Sequence, residues 1–217
     1  MVVVKMIFSM TPLDKLIAHF EKFPGTGIRQ ARRFAFHILT LKPEQADELA
    51  GLVTSLKNSV VLCPSCYRYY SESGERQPLC SICRNPNRDR SKLLVVARDS
   101  DTEAIERSGV YDGLYFILGG TVSLLHNPKD EQRVRSGALL GCLTTRLKED
   151  HLMEVILGFS VSPDGENTAR FVENHLEPVL KGTAVSLTHL GRGLSTGSEL
   201  EYADPETIKS ALQSRTK

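Results

Sequence analysis

Apolar residues fall into three successive textures along this chain. Leu13, Leu16, Ile17 and Phe20 recur three and four positions apart behind Thr11-Pro12. This predicts a helix, because threonine can cap the free amides of a first turn and proline tolerates the first helical position. Phe23-Pro24-Gly25-Thr26-Gly27 interrupts the period, and Ile28, Ala31, Ala35 and Ile38 restart it as a second helix. After Leu41-Lys42-Pro43, a third helix is predicted on Leu49, Leu52, Val53 and Leu56. Between Cys63 and Cys83 helical periodicity lapses into Cys, Tyr, Ser, Arg and Pro, too poor in aliphatics for packing alone to hold it. From Leu93 onward strand and helix alternate. Strands are predicted at 93–96, 114–118, 154–157 and 184–187, and helices around 102–107, 138–148 and 167–180. Such alternation implies a mostly parallel sheet covered by helices. The expected fold class is therefore α+β and modular: a helix-hairpin-helix region (1–58), a four-cysteine module (59–90), an α/β domain (91–187) and a short C-terminal helical segment (188–217).

Composition narrows this only a little. Of 217 residues, 41% are hydrophobic and 24% charged, which argues against disorder, collagen and coiled coil. No apolar run approaches the roughly 20 residues needed to span a bilayer. The opening MVVVKMIFSM lacks the charged front and cleavage site of a secretory signal, so a cytoplasmic protein is expected. Charge changes the picture more. The formal net charge is +1, yet residues 1–92 carry 14 Lys and Arg against 8 Asp and Glu, while the remainder carries 13 against 18. A basic front suits a polyanion. A single copy with so small a net charge should hold DNA weakly, so several copies acting together are expected.

Two constellations carry chemistry. Cys63-Pro-Ser-Cys66 and Cys80-Ser-Ile-Cys83 form two Cys-x2-Cys knuckles whose separation lets four thiolates close a tetrahedron around one zinc ion. With four protein ligands, that ion is structural, and binding it contributes much of the module's folding energy. The fifth cysteine, Cys142, sits in an apolar helical stretch and is expected to be a small buried hydrophobe; His37 is expected to be packed or interfacial. The other constellation is Pro24-Gly25-Thr26-Gly27 between two short helices. Gly25 and Gly27 permit a tight turn, the turn aims free amides at a phosphate, and Arg29, Arg32 and Arg33 follow at the positive end of the second helix. Contacts of this kind grip backbone without reading bases.

The order of these modules, with Leu-Tyr-Phe-Ile-Leu-Gly-Gly at 114–120 and Leu-Glu-Tyr-Ala-Asp at 200–204, resembles the bacterial recombination mediator family RecR from about Leu13 to the end. The resemblance implies that the alternating domain is a Toprim domain. It also implies that Arg29 and Arg33 contact DNA, and that the protein assembles as a dimeric or tetrameric clamp in the nucleoid. The partners it implies are RecO-like and in some cases RecF-like proteins, in support of RecA loading during recombinational repair, with no catalytic residue.

Two departures from the family bear on function. Toprim enzymes place a glutamate at the end of the first strand, where this chain has Ala97, so the position is empty unless Asp99 or Asp101 reaches it. Asp164-Gly165-Glu166 follows the third strand and is expected to be a partner-binding or relic acidic patch. Two carboxylates suit magnesium, so the alternative is a magnesium-dependent nuclease or phosphotransferase, which the missing first-strand acid speaks against. The segment between the knuckles is longer than usual, and the residues before Met10 read as an extension or an upstream start.

Overall fold

In a computed structural model, residues 10–71, 78–125 and 132–191 are described, together with 205, 207 and 208. The chain divides into two compact units, one reaching Ser59 and one beginning at Val60.

Three helices make the first unit: α1 (Pro12–Phe20), α2 (Ile28–Thr40) and α3 (Pro43–Ser59). Thr11 starts α1 as foreseen. Its hydroxyl accepts the Asp14 amide at 3.2 Å while the Asp14 carboxylate accepts the Thr11 amide at 3.0 Å, a reciprocal capping box. That hydroxyl, then the amide, holds the Asp14 carboxyl below its ordinary value. The α1–α2 pair closes on Ala31 and Ala35, the buried residues of α2, and on the Phe20 ring set edge-on to Phe23 and Phe34 at 5.6 and 5.7 Å. The third helix forms where its apolar period predicts, but it buries none of its residues.

In the second unit an antiparallel ribbon of β1 (Val60–Leu62) and β2 (Tyr69–Ser71) precedes the one-turn helix α4 (Ser81–Arg84). The alternating part then runs β3 (Asp89–Val96), α5 (Asp99–Ser108), β4 (Gly113–Ile117), α6 (Ser136–Glu149), β5 (Glu154–Gly158), α7 (Pro163–Leu180) and β6 (Ser186–His189). Its four strands lie in the order β4-β3-β5-β6, every neighbouring pair parallel. Val95 stands between Phe116 and Leu157. The buried run Leu93-Leu94-Val95-Val96 fits a central strand covered on both faces. Pro205, Thr207 and Ile208 are helical, while Leu-Glu-Tyr-Ala-Asp at 200–204 and the residues before Met10 lie outside the described residues.

Several predicted boundaries move, three of them for a visible reason. Pairing of β3 begins at Asp89, four polar residues early, with a register shift against β4 before Leu93. The last strand starts at Ser186, not at 184, because Thr183 is still turning, its amide bonded to the Leu180 carbonyl, and pairing begins with the Ser186 amide on the Met153 carbonyl. Helix α7 starts at Pro163, not near 167: the Ser162 hydroxyl accepts the Gly165 amide at 3.1 Å and proline takes the first position.

Candidate metal centre and nucleic-acid interface

The knuckle is built by its backbone before any ion is considered. The Tyr67 amide bonds the Cys63 carbonyl, and the Cys63 amide the Arg68 carbonyl, each at 2.9 Å, so the chain folds back within five residues. Tyr67 takes a left-handed backbone, with φ at 61°, to make that turn. A second loop delivers Cys80 and Cys83, the latter on α4. The four sulfur atoms lie within 4.8 Å of one another, with Cys66 and Cys80 3.6 Å apart, close to the ~3.8 Å edge of a tetrahedron of zinc–thiolate bonds. All four cysteines are buried. Hydrogen bonds among them, that from Cys66 first, hold the Cys63 thiol below its usual range, while the bond to Cys63 pushes Cys66 and Cys83 above theirs. Four thiols packed this closely cannot all ionise on their own. A dication at their centre resolves the conflict, so the donor set fits a closed, four-sulfur metal site.

Periodicity gave no sign of how the knuckle is fastened. Its cysteines belong to the same buried cluster as the sheet, so a segment too poor in aliphatics to hold itself by packing alone shares the core of its neighbour. The Ile117 amide at the end of β4 bonds the Cys66 carbonyl at 2.8 Å, and the Tyr67 ring lies 5.2 Å from that of Phe116. Arg135 stacks over Tyr67 at 5.6 Å and bonds the Ile117 carbonyl at 3.0 Å. Arg146, only 4% exposed, reaches Ser65 at 3.2 Å and Asp150 at 3.1 Å. Its Nε also bonds the Cys142 sulfur at 3.2 Å, so Cys142 is partly exposed and partnered, not the plain buried hydrophobe expected.

In the first unit the glycine hairpin presents open backbone. Gly25 has φ at 72°, a conformation that L side chains rarely adopt, and a β-carbon at Gly25 or Gly27 would meet nothing within 4 Å. Gly27 caps α2 without a side-chain hydrogen bond, and its first turn carries no acid. The leading amides of that helix therefore lack intrahelical partners and stand at the positive end of its dipole. Arg29, Arg32 and Arg33 are exposed beside them. Arg29 and Arg33 make no ion pair or hydrogen bond among the described residues. His37 is exposed on the same helix.

A profile described as RecR, helix-hairpin-helix matches residues 13–56, and one described as RecR, C-terminal matches 193–216. A protein named Recombination protein RecR from Chloroflexus aggregans is 37% identical over 204 residues, covering 94% of this chain and 93% of its own. One of the same name from Gloeothece citriformis is 37% identical over 94% of this chain and 95% of its own. Another from Lactobacillus acidophilus is 34% identical over 94% and 96%. The chain belongs to the RecR family.

Within this RecR chain the acids at the sheet's C-terminal edge are not where a loop-borne patch would put them. Asp164 and Glu166 ride in the first turn of α7, about Gly165, whose absent β-carbon would stand 2.0 Å from the Ser160 carbonyl oxygen. Asp164 is exposed, and its carboxylate accepts the Leu124 amide at 2.9 Å. Asp99 and Asp101 occupy the first turn of α5. Among the described residues, the four cysteines are the group of potential ligands gathered around one point; the carboxylates form no such group. Arg146 left a signal that periodicity could have caught: Leu139, Leu143 and Arg146 share one buried stripe of α6, so a charge there needed a buried partner.

Proposed function

We propose that the protein is a recombination mediator: a non-catalytic scaffold with one structural zinc per chain that grips DNA backbone irrespective of sequence and acts as a clamp of several copies. The reading rests on one observation, an uncapped helix start flanked by two unpaired exposed arginines in a chain whose relatives are named recombination proteins. Gly25 and Gly27 leave the approach to those amides clear, and Arg29 and Arg33 add charge-assisted contacts to phosphates. Self-association is supported by the net charge of +1, too small for one copy to retain a polyanion. It is also supported by the uncovered seam of Leu49, Leu52, Val53 and Leu56, each at least 40% exposed. RecO-like and RecF-like proteins are the partners this role calls for, with RecA loading as the outcome. The acidic first turn of α7, Asp164 with Glu166, is the surface assigned to such a partner.

Reversing both arginines (Arg29→Glu with Arg33→Glu) tests the grip. Fluorescence anisotropy on dye-labelled oligonucleotides of unrelated sequence should show binding lost at moderate salt. The milder pair of alanines should lower the slope of log affinity against log salt by about two for each engaged subunit. Mass in solution should stay unchanged. Retention of DNA by the reversed variant at moderate salt removes the hairpin from the mechanism.

A further inference from the structure

In open parallel sheets, ligands settle outside the C-terminal ends of the strands where the strand order reverses. Here that point lies between β3 and β5, since the chain moves from β3 outward to β4 and from β5 outward to β6. The residues that follow those strands are Ala97 and Arg98 on one side and Phe159 and Ser160 on the other, with no carboxylate among them. A β-carbon added at Gly158 would press on the Leu94 side chain at 3.0 Å, so the end of β5 packs closely on β3, while Arg98 and Ser160 just beyond are exposed.

Acids stand in the first turns of α5 and α7, and Asp99, Asp101 and Asp164 each accept a backbone amide. An Asp99 oxygen accepts the Tyr69 amide of β2 at 2.8 Å, which joins the knuckle ribbon to α5. Asp101 accepts the Arg98 amide at 2.8 Å and closes the start of α5. Asp164 holds Leu124 as part of a clamp: the Thr168 hydroxyl accepts the Val122 amide at 2.8 Å, and the Asn167 amide donates to the Val122 and Ser123 carbonyls, both at 3.2 Å. Magnesium requires several oxygens converging in near-octahedral geometry, and among the described residues these carboxylates do not gather around one point.

We propose that Asp99 and Asp164 serve as tethers and not as cation ligands, Asp99 tying the four-cysteine knuckle to the first helix of the sheet domain and Asp164 fixing the 122–124 loop. The C-terminal edge of this sheet then holds no magnesium, and Asp164 fixes the loop beside the acidic surface that a partner would meet.

Asparagine and alanine separate the two roles. Asparagine keeps a carbonyl oxygen for the amide but loses the charge a cation needs; alanine loses both. In zinc-loaded protein, the signal of free Mn2+, followed by electron paramagnetic resonance as a stand-in for Mg2+, should remain undiminished. Metal release to the chelator 4-(2-pyridylazo)resorcinol should be near wild type for Asp99→Asn and roughly tenfold faster for Asp99→Ala, the scale of one lost charge-assisted hydrogen bond. An Asp99→Ala chain recovered without metal alongside a loaded Asp99→Asn chain supports the tether in stronger form. Stoichiometric Mn2+ uptake that disappears in Asp164→Asn overturns the proposal, as do equal release rates for the two Asp99 variants.

Discussion

The two units of this protein solve the problem of a small core in opposite ways. Beyond Ser59, a central strand buried along its apolar run, the helices packed on it and a four-cysteine knuckle share one continuous core. Before it, three helices bury fully only Ala31 and Ala35 and leave Phe23, Phe36, Leu39, Leu52, Val53 and Leu56 all more than half exposed. Burial scales roughly as 25 cal/mol per Å² of apolar surface, so the first unit forgoes most of what its side chains could contribute. A soluble protein rarely leaves so many neighbouring apolar groups bare without something to cover them. The comparison separates the two units: the sheet unit covers a core within its own chain, and the helical unit leaves apolar surface bare. That division accords with the clamp of several copies proposed above.

Metal removal is the largest way to sharpen this contrast. Zinc-binding modules typically draw on the order of 10 kcal/mol from their ion. Stripping it should loosen the ribbon and Tyr67 and lower the thermal midpoint of the sheet unit, while helical circular dichroism from α1 to α3 persists. Near-ultraviolet circular dichroism reports the tyrosines, and Cys66→Ser should reproduce the result. An unchanged tyrosine signal after complete metal loss would mean that Arg135, Arg146 and Asp99 hold the knuckle unaided.

Two alanines come next in size. Leu143 is fully buried in α6, and Leu143→Ala should lose about 2–5 kcal/mol by urea unfolding at any protein concentration. Leu52, 59% exposed on α3, should behave differently. In dilute protein Leu52→Ala should shift stability by no more than about 0.5 kcal/mol. At high concentration the deficit should grow, because contacts between copies are lost with it. A Leu52→Ala deficit that is large and independent of concentration would show the seam to be covered within its own chain.

Much of this arrangement is legible in the sequence wherever the cause is local. Three-and-four spacing located α1, α2 and α3, the knuckle spacing located the thiolates, and the apolar run 93–96 located the central strand. What escaped depends on residues far apart. The knuckle's fastenings pair Tyr69 with Asp99, Tyr67 with Arg135 and Ser65 with Arg146, separations of 30, 68 and 81 positions that no periodicity encodes. The late start of β6 is likewise imposed by its register on β5, Glu154 opposite Ser186. One miss was avoidable. Ser162-Pro163-Asp164-Gly165-Glu166 is a helix start, with a capping hydroxyl, proline at the first position and acids in the first turn, and reading it so would have moved the acidic pair from a loop onto α7.

The smallest expected effect probes how complete the sheet unit's core is. Thr102 on α5 is wholly buried, yet its hydroxyl has no hydrogen-bond partner among the described residues. Burying an unpaired hydroxyl costs about 1–3 kcal/mol, whereas an apolar group of the same shape pays no such penalty. Valine keeps the branched outline and has a helix propensity close to that of threonine, so Thr102→Val should stabilise the protein by about 1 kcal/mol. The urea midpoint should rise with an unchanged slope, the signature of altered stability without altered compactness. The same substitution at exposed Thr54 on α3, whose hydroxyl bonds the Ala50 carbonyl at 2.9 Å, should bring no comparable gain. Should Thr102→Val instead destabilise, the hydroxyl serves a partner, and the sheet unit would depend on something beyond its own chain, as the proposed clamp requires of the helical unit.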